Sequence, residues 1–124
     1  MRHGPVSFIR VEQGDALILS FVIEDAESGD VKSLILMRSP KYESLLDAHE
    51  RGVNVSREDE PDREDNMLRR IMLAPDVVTI ESTYGRYDLD VSRVDKKELQ
   101  KARTILRGMN FDDAFTLDLV NDTP

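Results

Sequence analysis

Residues 67–91, MLRRIMLAPDVVTIESTYGRYDLDV, limit the possible folds more than any other stretch, because β-forming runs are separated there by two turn signals. Tyr87, Leu89 and Val91 alternate with Asp88 and Asp90, the period of two expected of a strand with one buried and one wet face. Val77–Ser82 is rich in β-branched residues, whose stiff side chains suit a pleated surface. It is entered through Ala74-Pro75-Asp76, where proline presets a turn dihedral and aspartate can bond local backbone. Gly85 is expected to supply the left-handed conformation of the second turn at little steric cost. Connections this short predict antiparallel pairing, since parallel neighbours need a crossover of about a dozen residues or more. The expectation is a three-stranded meander.

A chain of 124 residues is most simply one domain spanning 1–124, large enough to bury about two thirds of its unfolded surface without staples. It has no cysteine, which excludes disulfides, thiolate nucleophiles and sulfur-ligated metals. The N-terminal residues contain no sustained apolar run, and the longest apolar stretch, 16–23, is too short to span a bilayer. A cytoplasmic protein with no membrane partner is expected. Seventeen basic against twenty-five acidic residues give a net charge of −8, which repels phosphate backbones and argues against nucleic acid. A basic protein partner fits better, although acidity also serves solubility.

Taken in order, residues 5–12 read as a first strand and Gln13-Gly14-Asp15 as a turn into a second at 16–24. ALILSFVI is apolar on both faces, which predicts a central strand covered on both sides. The acidic segment 25–30 reads as a hairpin loop before the strand Val31–Arg38; it lacks the ligand spacing of a calcium loop. Ser39 and Pro40 signal a helix start, with Tyr42, Leu45, Leu46 and His49 on one face and Gly52 as the stop. After Val53 and Val55, the run REDEPDRED at 57–65 has no apolar residue and Pro61 in its middle. It reads as an exposed loop whose acids, Glu58, Asp59, Glu60, Asp62, Glu64 and Asp65, could also dock basic side chains.

Beyond the meander, Ser92 or Asp95 caps a helix predicted to reach Arg107 and to end at Gly108. Its apolar face carries Leu99, Ala102, Leu106 and Met109; its wet face carries Lys96, Lys97, Lys101, Arg103 and Arg107. Such a basic stripe could contact an anion or simply stay solvated. In the tail, Phe115, Leu117 and Leu119 alternate with polar residues, which favours a last strand within 111–120 over a helix.

Catalytic signatures are absent. His3, near a terminus expected to fray, and His49 are the only histidines, and no nucleophile elbow, P-loop or dinucleotide fingerprint occurs. Asp88, Asp90 and Ser92 open like a calcium loop, but Arg93 stands at the required glycine and Leu99 at the bidentate glutamate. Asp88 and Asp90 as an acid and base pair lie on a regular polar strand face, which favours simple exposure. No cofactor and no metal are expected.

SLILMRS at 33–39, LRRIMLAPDVVTIES at 68–82, YDLDV and a helix containing LQKARTIL occur in an order that resembles the tenth immunity-protein family of bacterial polymorphic toxin systems. Met37 stands where that family is expected to carry Gln, and Ser56 where it is expected to carry Glu. The resemblance implies a cytoplasmic antidote that binds a toxin and has no catalytic residues.

Together these features predict an α+β domain with a predominantly antiparallel sheet of six to eight short strands and two amphipathic helices. The functional expectation is a non-catalytic protein-binding module with an acidic contact surface. The alternative is a small-molecule binder or weakly marked enzyme with a pocket lined by Tyr42, His49, Tyr84 and Tyr87. A homodimer through a sheet edge or an uncovered sheet face is compatible with both.

Overall fold

Each alternating run in the chain becomes a strand in the computed structural model, which describes residues 2–24, 29, 31–45, 51–57 and 66–120, the side chains of 2–4 and 44 aside. The elements are β1 (Arg2–Gln13), β2 (Leu17–Glu24), β3 (Val31–Arg38), β4 (Asn54–Arg57), β5 (Leu68–Leu73), β6 (Val77–Ser82), β7 (Arg86–Asp90), α1 (Lys96–Met109) and β8 (Thr116–Leu119). Among the described residues these strands form one mixed sheet in the order β4-β3-β2-β1-β7-β6-β5-β8. The protein is therefore α+β, and the meander β5-β6-β7 is antiparallel as the short turns require. Gly85 is not left-handed as expected, the second turn being closed instead by the Ser82 amide donating to the Gly85 carbonyl at 2.8 Å.

Two pairings depart from the antiparallel expectation. β1 runs parallel to β7 at Arg2 and Pro5, and β8 runs parallel to β5. Both join strands separated by long stretches of chain, so the crossover that a tight turn forbids is available to them. The first strand also begins earlier than expected, since the backbone from Arg2 onward lies alongside β7 rather than fraying beside His3.

β1 serves two half-sheets. It pairs with β7 at Arg2 and Pro5 and with β2 from Val6 through Gln13, changing register with β2 between Val6 and Phe8. A bulge of this kind bends a strand and increases its twist. The sheet curls until β4 meets the beginning of β5, where Asn54 bridges Met67 and the Leu68 amide donates to the Val53 carbonyl at 2.8 Å.

Inside the curl, cross-strand rows interlock. Ile9, Phe21 and Leu34 lie in one row, Val11, Leu19, Leu36 and Val55 in the next, and Ile71, Ile80 and Tyr87 in the opposing half. They join one core cluster with Leu99, Ala102, Ile105, Leu106 and Met109 of α1, each fully buried aliphatic side chain contributing about 1.5–3 kcal/mol.

The helix α1 packs on β1, β2 and β8. Asp95 caps it by accepting from the Lys97 amide at 2.8 Å. Gly108 does not end it: the helix runs on to Met109 and closes at Asn110, whose amide bonds back to Leu106 and Arg107.

The expected helix after Ser39 is, in its described part, a 3-10 turn at Pro40–Leu45; positions 46–50, His49 among them, lie outside the described residues. Tyr42 and Leu45, read as an apolar face, are exposed. A three-residue repeat does not stack i and i+4 positions, and Glu43 is drawn toward Arg38 instead. The described chain thus has one amphipathic α-helix where two were expected.

Candidate interaction surface

On the side of β1–β4 away from the core, the strand period presents three rows. Phe8 faces Val22 and Ser33; Arg10 faces Ser20, Ile35 and Ser56; Glu12 faces Ile18, Met37 and Asn54. Apart from Arg10 and Glu12 on β1, these rows carry no charged residue. Phe8 is 43%, Met37 40% and neighbouring Val31 55% exposed, with Ile18 and Ile35 half-buried beside them. The expectation that β2 is central holds; its second face is half-buried, not fully covered.

The corresponding surface of the meander is quite different. Arg70, Glu81 and Arg86 form one row and Met72, Thr79 and Asp88 another. Arg70 reaches Asp118 at 2.7 Å, and Arg86 reaches Asp88 at 3.5 Å and Glu81 at 3.8 Å. Desolvation pushes the Asp88 carboxyl up, but the Thr79 hydroxyl and the Arg86 charge together hold it below the usual range. Asp90 instead accepts from the amide and hydroxyl of Ser92. The two aspartates thus serve separate local contacts and form no acid and base pair.

The one buried charge in the described core belongs to Arg38, which is 2% exposed at the inward end of β3. Nε and one terminal nitrogen hold both oxygens of Glu43 at 2.8 and 3.0 Å. Both terminal nitrogens hold Asp112 at 2.8 and 2.7 Å, and Nη1 also donates to the Met109 carbonyl at 2.7 Å. All five guanidinium hydrogens are thereby used. Phe111 covers the group, its ring centre 4.2 Å from the central carbon. The guanidinium holds the Glu43 and Asp112 carboxyls below their ordinary values, chiefly by these hydrogen bonds, and the carboxylates raise Arg38 in turn. Desolvating a guanidinium costs several kcal/mol. A fully satisfied donor set offsets that cost and makes the cluster a clasp between β3, the 3-10 turn and the end of α1.

The residues singled out from sequence are dispersed. Tyr87 is buried in the core row with Ile71 and Ile80, whereas Tyr42 and Tyr84 are exposed on separate turns. His49 and the acids Glu58, Asp59, Glu60, Asp62, Glu64 and Asp65 lie outside the described residues. Among the described residues no group of three or more His, Asp or Glu side chains is placed to hold a metal ion, and no helix is long and apolar enough to cross a membrane. Sequence reasoning passed over Arg38 and the outer face of β3. Both signals lie in its alternation, which turns Arg38 inward with Leu34 and Leu36, and Ile35 and Met37 outward.

The sequence matches no protein-family model, and neither a curated protein nor a solved structure matches the chain.

Proposed function

We propose that this protein is a non-catalytic binding module that meets a protein partner with the outer face of β1–β4. The observation that carries this reading is the contrast between the two halves of the sheet surface. Paired charges keep the meander side wet, while Phe8, Ile18, Ile35 and Met37 make the other side largely apolar, Arg10 and Glu12 of β1 aside, in a chain that is 34% charged. A contiguous apolar patch of this kind marks a contact site on a soluble protein, and its small neighbours Ser20, Ser33 and Ser56 leave room for a partner's side chains.

The acidic run 58–65 follows β4 directly in sequence, so a basic rim on the partner would complement it. Charge of this sort speeds encounter and selects partners, while buried apolar anchors set the lifetime of the complex. A cytoplasmic immunity protein that occludes a basic toxin is the specific form of this proposal, supported by the resemblance in motif order.

The test is co-purification with the product of a toxin gene adjacent to its own, followed by calorimetric titration of variants. Met37→Lys should weaken binding at least tenfold, about 1.4 kcal/mol, without lowering the melting temperature. Replacing Glu58, Asp59, Glu60, Asp62, Glu64 and Asp65 by their amides should slow association and remove most of its salt dependence. Binding unaltered in both variants would refute the proposal.

A further inference from the structure

A groove of about 390 Å³ lies between β1 and α1, lined by Val11, Gln13, Gln100, Lys101 and Thr104. One wall is a strand edge. β1 is paired with β2 as far as Gln13, but its other edge meets β7 only at Arg2 and Pro5, and among the described residues no strand pairs with that edge beyond Pro5. The Ile9 amide on this edge donates to Glu98 Oε1 of α1 at 3.0 Å. An antiparallel ladder turns alternate residues toward and away from the neighbouring strand. The Val11 amide therefore points the same way as that of Ile9, into the groove.

The other wall advances with the strand, since Glu98 bonds Ile9 and, further along the helix, Lys101 and Thr104 line the groove together with Val11 and Gln13. Lys97 lies one helical turn before Lys101 on the same exposed face. Their separation along the axis is about 6 Å, close to the roughly 6.6 Å between alternate residues of an extended chain. Open strand edges are templates for another strand.

We propose that this groove takes a short extended segment of a partner polypeptide with acidic residues at alternate positions. The segment adds to the free edge of β1, accepting from the Val11 amide, and its carboxylates face Lys97 and Lys101. Complementary charge decides the occupant: Lys101 lines the groove, and helical spacing sets Lys97 one turn before it on the same face, in a chain of net charge −8. This surface is separate from the outer face of β1–β4 and does not depend on the function proposed for that face.

The test is an amide-resolved NMR titration of the full chain with an acetylated, amidated hexapeptide alternating glutamate and threonine, and with its lysine counterpart. The glutamate peptide should produce saturable shifts and slowed hydrogen exchange at Val11 and Gln13, and the lysine peptide should not bind. Lys101→Glu should weaken the interaction at least fivefold. Val11→Pro, which withdraws the groove-facing amide but no bond to β2, should abolish it; should this variant fail to fold, Lys101→Glu decides alone. Failure of the glutamate peptide to bind, equal binding of the lysine peptide, undiminished binding by Lys101→Glu, or shifts confined to the outer face of β1–β4 would each overturn the proposal.

Discussion

Arg38 shows how a single side chain can fix the geometry of several segments. Its planar fork meets two carboxylates and a helix-terminal carbonyl at once, an arrangement that neither lysine nor an apolar residue can reproduce. Arg38→Met leaves the nearly buried Glu43 carboxylate without its counter-charge, and should cost about 3 kcal/mol in urea unfolding. Acid should act through the same cluster. Carboxyls whose folded values are lowered stabilise fully above their unfolded range, and that contribution disappears as pH falls through the folded values. Stability should therefore fall on acidification, and less steeply in Arg38→Met. Little of this was legible in the sequence. The alternation places Arg38 inside, but Glu43, Met109 and Asp112 come from other segments, and no local pattern announces that they converge.

At the scale of elements the sequence was informative where a strand or helix buries one continuous face. The meander, β3 and the apolar side of α1 follow directly from periods of two and 3.6. It misled where tertiary contacts override local signals. Pro40 looked like the first residue of an α-helix, but the Glu43 bond to Arg38 accompanies a tighter turn there. Gly108 looked like a terminator, yet the helix passes through it and ends on Asn110. A side-chain carbon at Gly108 would meet nothing within 4 Å, and its φ is not positive. Gly108→Ala should therefore stabilise the protein by about 0.5–1 kcal/mol, seen as a raised urea midpoint with unchanged slope. A glycine at a left-handed helix terminus would show the opposite sign.

The whole molecule depends on two places where the half-sheets meet. One is β1, shared by both; the other is the junction of β4 and β5, where buried Asn66 donates its side-chain amide to the Val55 carbonyl at 3.0 Å and accepts from the Tyr84 amide at 3.2 Å. Asn66→Ala would leave both backbone groups without these partners, and should cost about 2 kcal/mol by chemical denaturation. Neither junction was readable beforehand, because hydrophobic rhythm specifies faces and not which distant edge a strand will meet. The shared first strand also governs when the molecule can be assembled. Arg2 and Pro5 wait for Asp88 and Asp90, so during synthesis the start of the chain stays half-matched until most of the polypeptide has left the ribosome. Distant pairings of this sort slow folding, and a nascent chain halted before β7 would present an unmet strand to whatever chaperone or neighbour lay nearest.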